Sequence, residues 1–277
     1  MTFSVTILGS NSAIPTLQRN PSAHLLNANE RLFLIDCAEG TQLQLRRYKV
    51  HFQRIKHVLI SHLHGDHFYG LIGFLTSLHL LGRKDELHLY ANPDLQQIIS
   101  IQLEASRTVL VYPLIFHPLV SENKELIIDT ERLKVYTFPL LHSVPTNGFL
   151  FIEQHASTQR IRQPRSYAYC ADTVYNENMI QYIQGVDLLY HEATFLHQKA
   201  DAALEKMHST AFEAATIAKK AKVKRLLIGH FSARYDDLQP LLDEARTVFP
   251  STELAEDGKK FDICLIESNS SPQNPLL

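Results

Sequence analysis

The sequence predicts an α/β fold in which two β-sheets pack face to face between layers of helices. Short apolar runs separated by turn residues recur along the 277-residue chain, as expected for strands. These runs form two groups, and each group is flanked by longer segments whose apolar residues recur at helical spacing. Two sheets with helices beside them bury their apolar faces most fully as a layered sandwich.

The first group of predicted elements lies within the first 106 residues. Its strands are bounded by Gly, Ser and Asn, and its first helix has apolar residues three or four positions apart, ending before Gly82. The predicted strands are Phe3–Leu8, Ser22–Leu26, Arg31–Ile35, His57–Ile60 and Leu87–Tyr90, and the predicted helices are Phe68–Leu81 and Asn92–Ser106.

The second group repeats this alternation. Thr210 and Glu213 form a capping box that begins a helix extending to Ala221, and alanines give this helix a small-residue face for close packing. The predicted strands are Leu126–Asp129, Leu133–Phe138, Phe149–Glu153, Tyr167–Cys170, Asp187–Tyr190 and Val223–Ile228, and the other predicted helices are Asn176–Gln184 and Leu238–Val248.

The pattern contains no repeat of fixed period and no long linker, which predicts a single domain over residues 1–267. Residues 268–277 are polar and include two prolines, which predicts a disordered tail.

Charge and cysteine content limit the possible partners and location. With a net charge of −2, the chain is less basic than proteins that bind nucleic acid nonspecifically, so any RNA contact must come from a local patch. Cys37, Cys170 and Cys264 are far apart and form no C-x-x-C pair, which suits the reducing cytoplasm. We see no secretory signal and no apolar stretch long enough to span a membrane, so we expect a cytoplasmic protein without a membrane partner.

The strongest chemical signal is the segment Ser61–His67, with the sequence SHLHGDH. It places three histidines and one aspartate within six residues, directly after a predicted strand. Imidazole and carboxylate groups are zinc ligands, and a glycine before Asp66 and His67 allows a sharp turn that aims them at a second point. The alternative is a helix start in which Asp66 is a cap and the histidines lie on the surface.

The H-x-H-x-D-H pattern resembles the signature of the metallo-β-lactamase superfamily. This resemblance implies a four-layer αββα sandwich with two Zn²⁺ ions per chain at the strand ends. It also implies later ligands, and His142, Asp172 and His230 each follow a predicted strand, although each alone is compatible with a structural role. The implied sets are His62, His64 and His142 on one zinc ion and Asp66, His67 and His230 on the other, with Asp172 bridging.

Several further motifs resemble those of the ribonuclease Z family, which trims the 3′ end of precursor tRNA. The resemblance covers about residues 2–235, and the HEAT sequence is its most specific motif. The matching segments are Pro15–Asn20 (PTLQRN), Asp36–Thr41 (DCAEGT), His62–Gly70 (HLHGDHFYG), His191–Phe195 (HEATF), His208–Ala211 (HSTA) and Gly229–Tyr235 (GHFSARY).

The resemblance implies catalytic roles for three residues. Asp66 would orient the attacking water or accept its proton, and His208, steered by Glu192, would stabilise the phosphate or protonate the leaving oxygen. Simpler alternatives remain: Glu192 can form a strand-end link with its neighbour His191, and His208 can simply lie beside the capping box.

RNA contacts are predicted at two places. Arg19 and Asn20 lie in the loop that resembles P-x-K-x-R-N, where Leu17 replaces the lysine, although Arg19 can equally be a surface charge. The second place is the basic segment Thr158–Arg165, whose arginines are Arg160, Arg162 and Arg165. Ribonuclease Z proteins usually carry a long basic arm here, and this short segment can instead be a solvated loop.

The expected function is therefore a zinc-dependent endoribonuclease that removes the 3′ trailer of precursor tRNA and leaves a 3′-hydroxyl. The resemblance also implies a homodimer. The missing arm favours an alternative, a phosphodiesterase acting on cyclic nucleotides or aryl phosphodiesters. A metal-binding protein without hydrolytic activity is a third possibility, which the complete ligand set and the retained His208 and Glu192 disfavour. β-Lactam hydrolysis is disfavoured because Asp172 stands where a bridging thiolate is expected.

Overall fold

The computed structural model describes residues 2–154 and 164–263. The predicted tail at 268–277 and the predicted RNA contacts Arg160 and Arg162 lie outside the described residues. The strands are β1 (Phe3–Gly9), β2 (Ala23–Ala28), β3 (Arg31–Ile35), β4 (Ile55–Leu59), β5 (Leu87–Ala91), β6 (Leu114–Pro118), β7 (Glu125–Thr130), β8 (Leu133–Leu140), β9 (Thr146–Glu153), β10 (Ser166–Cys170), β11 (Leu188–Glu192), β12 (Leu226–Gly229), β13 (Thr252–Leu254) and β14 (Lys260–Asp262). The α-helices are α1 (Thr41–Arg47), α2 (Gly65–Phe68), α3 (Leu71–Leu80), α4 (Asp94–Ala105), α5 (Ile180–Ile183), α6 (Ala200–Glu205), α7 (Ala211–Lys220) and α8 (Gln239–Val248).

The strands form two seven-stranded mixed sheets. The first has the order β14-β1-β2-β3-β4-β5-β6, antiparallel from β14 to β3 and parallel from β3 to β6. The second has the order β13-β12-β11-β10-β9-β8-β7, parallel from β13 to β10 and antiparallel from β10 to β7. The chain therefore completes most of one sheet before it builds the other, as the two groups of predicted strands indicated.

Three apolar clusters separate four layers. The central cluster joins the inner faces of both sheets through residues such as Phe33, Phe149 and Tyr190. A second cluster lies between the first sheet and helices α3 and α4, and a third lies between the second sheet and helices α7 and α8. This arrangement confirms the predicted αββα sandwich. Of the helices that the structure describes, none is long and apolar enough to cross a lipid bilayer.

The carboxyl ends of several strands meet at one edge of the sandwich, where the candidate site lies. Strands β10, β11 and β12 run parallel, so the residues that follow them emerge at the same edge. The first sheet brings β4 to this edge, and the backbone N–H of Asn147, in β9, donates to the Ser61 carbonyl at 2.9 Å. This bond ties the two sheets together directly beside the site.

The predicted elements differ from the observed ones in a few places. The predicted helix Phe68–Leu81 corresponds to α3, which begins three residues later, and the separate short helix α2 precedes it. The predicted helix Asn176–Gln184 begins with a 3₁₀ turn. Gly65 does not have the positive φ that a sharp glycine turn would require. It begins α2, where an added Cβ would lie 2.2 Å from the ring of Tyr69, so space explains the glycine better than a turn does.

Candidate metal centre and active site

The first group of metal-type side chains contains His62, His64, His142 and Asp172, whose donor atoms all lie within 4.8 Å of one another. The Nδ1 atom of His64 lies 3.1 Å from Nε2 of His62 and 3.2 Å from Nε2 of His142. Asp172 turns its Oδ2 atom to this group, 3.6 Å from both of those Nε2 atoms. Three imidazoles and one carboxylate oxygen therefore converge on one point.

The second group contains Asp66, His67, His230 and again Asp172, also within 4.8 Å. Here Asp172 presents its other oxygen, Oδ1, 3.3 Å from Nε2 of His67 and 3.1 Å from Nε2 of His230. Asp66 Oδ2 lies 3.6 Å and 3.4 Å from the same two nitrogens. The structure thus brings all seven predicted ligands together, with one oxygen of Asp172 in each group.

This donor set fits a dinuclear metal site. Ligands about 2.0–2.1 Å from a tetrahedral ion lie about 3.3 Å from one another, and most of the distances between neighbouring donors fall near that value. Two of the facing atoms, His67 Nε2 and Asp172 Oδ1, are buried without a hydrogen-bond partner among the described residues. Such atoms are costly to bury unless a ligand satisfies them.

The charge of the cluster supports the same conclusion. Four carboxylates, those of Asp36, Asp66, Asp172 and Glu192, are buried together or nearly so. Burial disfavours the charge of Asp172, but the surrounding imidazoles outweigh burial and hold the pKa of that carboxyl well below its usual range. Burial also disfavours the charged form of His67, yet the three aspartates raise its pKa well above 6.5. Two divalent cations would neutralise this excess of negative charge.

A second layer of hydrogen bonds orients the histidines. His62 Nδ1 lies 3.0 Å from Ser61 Oγ, and His142 Nδ1 lies 2.8 Å from the carbonyl of Met207. His230 Nδ1 lies 2.9 Å from Thr194 Oγ1. Each partner places the N–H on Nδ1 and leaves the Nε2 lone pair facing the site, as metal-bound imidazoles require.

Asp36, which the sequence analysis named only as the first residue of the DCAEGT motif, contacts two residues of the histidine-rich segment. Its buried carboxylate accepts hydrogen bonds from Ser61 N at 2.7 Å, Ser61 Oγ at 2.9 Å and Tyr169 Oη at 2.7 Å, and it lies 2.8 Å from His67 Nδ1. Its φ of 57° is unusual for a residue other than glycine. The signal was present in the sequence, because Asp36 directly follows the buried strand β3 and so must emerge at the site edge.

The partly buried His208 and the buried Glu192 form a pair beside the second group. His208 Nδ1 lies 2.8 Å from Glu192 Oε1, and Thr173 N donates to the same oxygen at 2.9 Å. Burial disfavours the charged form of His208, but Glu192 outweighs burial and raises the pKa of His208 to about 9. Glu192 therefore favours the protonated form of His208.

A cavity of about 590 Å³ lies beside His208 and is large enough for a nucleotide. The loops after β1, β11 and β12 form its walls, which include Ile14, Phe195 and Arg234. The guanidinium carbon of Arg234 lies 4.8 Å from the centre of the Phe195 ring. Since Arg234 is exposed and Phe195 is buried, the guanidinium presents its outer surface to solvent.

The predicted RNA contacts that the structure describes take part in loop architecture. Arg19 donates to Asn11 Oδ1 at 2.8 Å and to the Tyr235 carbonyl at 2.7 Å. Asn20 donates to Asp257 through its backbone and side-chain nitrogens, at 2.8 Å and 3.0 Å.

Arg165 lies far from the metal-type cluster. It forms a two-bond ion pair with the buried carboxylate of Glu153, at 2.6 Å and 2.8 Å. Arg165 precedes β10, whereas Asp172 follows the same strand, so the two lie at opposite edges of the sheet.

Comparisons with known proteins agree with this architecture. Residues 31–231 match the model of the β-lactamase superfamily domain. Ribonuclease Z of Phocaeicola vulgatus is 39% identical over 94% of this chain and 97% of its own length, and ribonuclease Z of Azobacteroides pseudotrichonymphae is 42% identical over 92% and 96%. The crystal structure of human tRNase Z, short form, superposes with a TM-score of 0.81 at 33% identity, covering 95% of this chain and all of that one. The chain belongs to the ribonuclease Z family of the β-lactamase superfamily.

Proposed function

We propose that the protein is an endoribonuclease that removes the 3′ trailer of precursor tRNA and leaves a 3′-hydroxyl on the tRNA. The observation that carries this proposal is the His208–Glu192 pair beside two convergent ligand groups, in a chain of the ribonuclease Z family. A metal centre alone serves many hydrolases, whereas a charged imidazole next to it adds a proton donor for a leaving oxygen.

We propose zinc as the metal, with two ions per chain. The predominance of imidazole ligands suits zinc, and the carboxylate oxygens of Asp66 and Asp172 complete two sets of four donors. When bound, the two ions supply an activated water and stabilise charge on the phosphate oxygens. The side chains of this protein must then place the substrate and move the protons.

We assign the proton of the attacking water to Asp66. Its Oδ2 atom faces His67 and His230, which leaves Oδ1 to orient the water and accept its proton. We assign protonation of the leaving 3′-oxygen to His208. Because Nδ1 of His208 is bound to Glu192, Nε2 is the ring nitrogen that can donate. The raised pKa of His208 keeps that proton present at neutral pH.

RNA binding is assigned to the cavity wall and to the basic segment. Arg234 and Lys206 supply positive charge on the wall of the cavity. We also propose Arg160 and Arg162 as phosphate contacts, on the basis of the sequence alone. For Arg19, Asn20 and Arg165 we propose an indirect contribution, because their hydrogen bonds hold the loops in place.

We propose that the protein is a cytoplasmic homodimer. Cys37 and Cys170 are buried free thiols, which suits a reducing compartment. The helical layer over the first sheet exposes Leu43, Tyr69 and Leu80, with 69%, 64% and 81% of each residue accessible. Large exposed apolar side chains of this kind are common at interfaces between subunits.

One observation favours a second candidate function, hydrolysis of small phosphodiesters. Only 29 residues separate His142 from Asp172. The alignment with the Phocaeicola vulgatus relative spans 301 positions, of which this chain fills about 260. About 40 residues of that relative therefore have no counterpart in this chain. A chain with fewer surfaces for tRNA would act comparatively well on substrates that need only the metal pocket.

The two candidates are separated by measuring kcat/KM of the zinc-loaded protein on a precursor tRNA with a 3′ trailer and on bis(p-nitrophenyl) phosphate. We expect kcat/KM to be far higher on the precursor, because remote contacts contribute to positioning even without an arm. Efficient hydrolysis of the small ester without cleavage of the precursor would contradict the first proposal and support the second.

A further inference from the structure

Thr194 contacts both the metal-type cluster and the His208–Glu192 pair. Its hydroxyl oxygen lies 2.9 Å from Nδ1 of His230 and 2.6 Å from Oε2 of Glu192. Thr194 is buried, and its hydroxyl also lies 2.9 Å from the His230 carbonyl. A single hydroxyl thus stands between a side chain of the second ligand group and the carboxylate that holds His208.

The direction of these hydrogen bonds follows from proton counting. His230 points Nε2 at the ligand group, so its proton must be on Nδ1, and this N–H donates to Thr194 Oγ1. The hydroxyl therefore accepts from His230 and donates its one proton to Glu192, the nearer acceptor. Glu192 uses its other oxygen to accept from His208 Nδ1. The chain of bonds is continuous from His230 to His208.

We infer that Thr194 is a positioning residue that couples the metal ligand His230 to the Glu192–His208 pair. By accepting from His230, the hydroxyl keeps Nε2 free to bind metal. By donating to Glu192, it orients the carboxylate that aligns His208. This inference rests on the proposed function of His208 and adds a dependence of that residue on the metal ligand.

A similar histidine–hydroxyl–carboxylate–histidine chain of hydrogen bonds lies at the other end of the site. Ser61 Oγ lies 3.0 Å from Nδ1 of His62 and donates to Asp36 Oδ2 at 2.9 Å, and Asp36 Oδ2 in turn lies 2.8 Å from Nδ1 of His67. There the hydroxyl joins two metal-type histidines through one carboxylate. In the Thr194 arrangement, His208 takes the place of the second metal-type histidine. The Thr194 hydroxyl therefore links a metal-binding histidine to the proposed proton donor.

The test compares Thr194→Val, which keeps the shape and removes the hydroxyl, with Thr194→Ser, which keeps the hydroxyl. Zinc affinity is measured by competition with a chromophoric chelator, and kcat and KM are measured on precursor tRNA. The matched control is Thr252→Val, because Thr252 is equally buried at the far end of the second sheet and donates only to a backbone carbonyl. Thr194→Ala replaces the valine variant if that variant does not fold.

We expect Thr194→Val to weaken zinc binding by about 10-fold or more, as the loss of a hydrogen-bond partner of a metal-bound histidine typically does. We also expect it to lower kcat with little change in KM. Thr194→Ser should restore both quantities, and Thr252→Val should change neither. Unchanged zinc affinity and kcat in Thr194→Val would overturn the inference. The chelator measurement needs no substrate, so an inactive wild type would refute the proposed function while the effect on zinc affinity still decides the role of Thr194.

Discussion

At the scale of single residues, the site depends on Asp172 because it presents a different oxygen to each ligand group. We predict that Asp172→Ala loses most of the dinuclear occupancy, since each of the two ligand groups loses one donor atom. Metal content after dialysis, measured by mass spectrometry, should fall from two zinc ions per chain to one or fewer. A variant that still binds two would exclude Asp172 as the bridge, and wild type with one ion or none would refute the dinuclear proposal.

The Glu192–His208 pair makes a prediction about pH. Glu192 raises the pKa of His208, so a general acid at His208 is protonated below that pKa and kcat falls as pH rises through it. Glu192→Gln removes the negative charge and lowers the pKa of His208. The falling limb of the kcat profile should therefore move to lower pH, with the metal content unchanged. A limb that keeps its position would show that His208 does not supply the proton.

At this scale, the sequence does not predict the hydrogen bonds that orient the candidate metal ligands. The convergence of the seven candidate ligands could be predicted because they crowd into one motif or follow buried strands. The contacts of Asp36 with Ser61 and of Thr194 with His230 could not be predicted, since these partners lie 25 and 36 residues away in sequence and only the folded sheets bring them together. Thr194 was visible as the last letter of the HEAT motif, but a motif does not show which atoms its hydroxyl touches.

At the scale of elements, the capping box at the start of α7 sets the position of the segment that carries His208. Thr210 Oγ1 accepts from Glu213 N at 3.2 Å, and Glu213 accepts from Thr210 N at 2.8 Å. We predict that Thr210→Ala lowers the free energy of unfolding by about 1 kcal/mol. The control is Thr216→Ala, which lies inside α7 and should change stability by less than about 0.5 kcal/mol. If chemical denaturation gave the same loss of unfolding free energy for both variants, the capping box would not stabilise the helix.

Elements with strong periodic signals were predicted, and those without them were missed. Helix α7 was predicted from its capping box and alanine face, and the structure confirms Thr210 as its N-cap and Glu213 as the other member of the box. Helix α1 was missed because seven polar and apolar residues give little periodicity and its N-cap, Gly40, has no capping side chain. Strand β6 was missed because it is an edge strand ending in proline, and β13 and β14 have only three residues each.

At the scale of the whole molecule, we expect the near-neutral charge and the short interval before Asp172 to limit RNA affinity. We predict weak tRNA binding that falls steeply with salt, with a slope of about 0.7–0.9 per phosphate contact in a double-logarithmic plot. Replacing Arg160 and Arg162 with alanine should reduce that slope by about one to two. The control replaces Arg54 and Lys56, at the end of β4 away from the site. Tight binding that is insensitive to salt and to the first pair would place recognition elsewhere.

The central claim is that the candidate metal centre cleaves precursor tRNA by metal-dependent hydrolysis. The most direct test maps the ends of the products after single-turnover cleavage of a precursor with a defined 3′ trailer, using zinc-loaded wild type, chelated wild type and His208→Ala. We predict one cut that leaves a 3′-hydroxyl on the tRNA and a 5′-phosphate on the trailer, no cut after chelation, and a rate about 10²–10⁴-fold lower for metal-loaded His208→Ala. A 2′,3′-cyclic phosphate end, or cleavage that survives chelation, would contradict it.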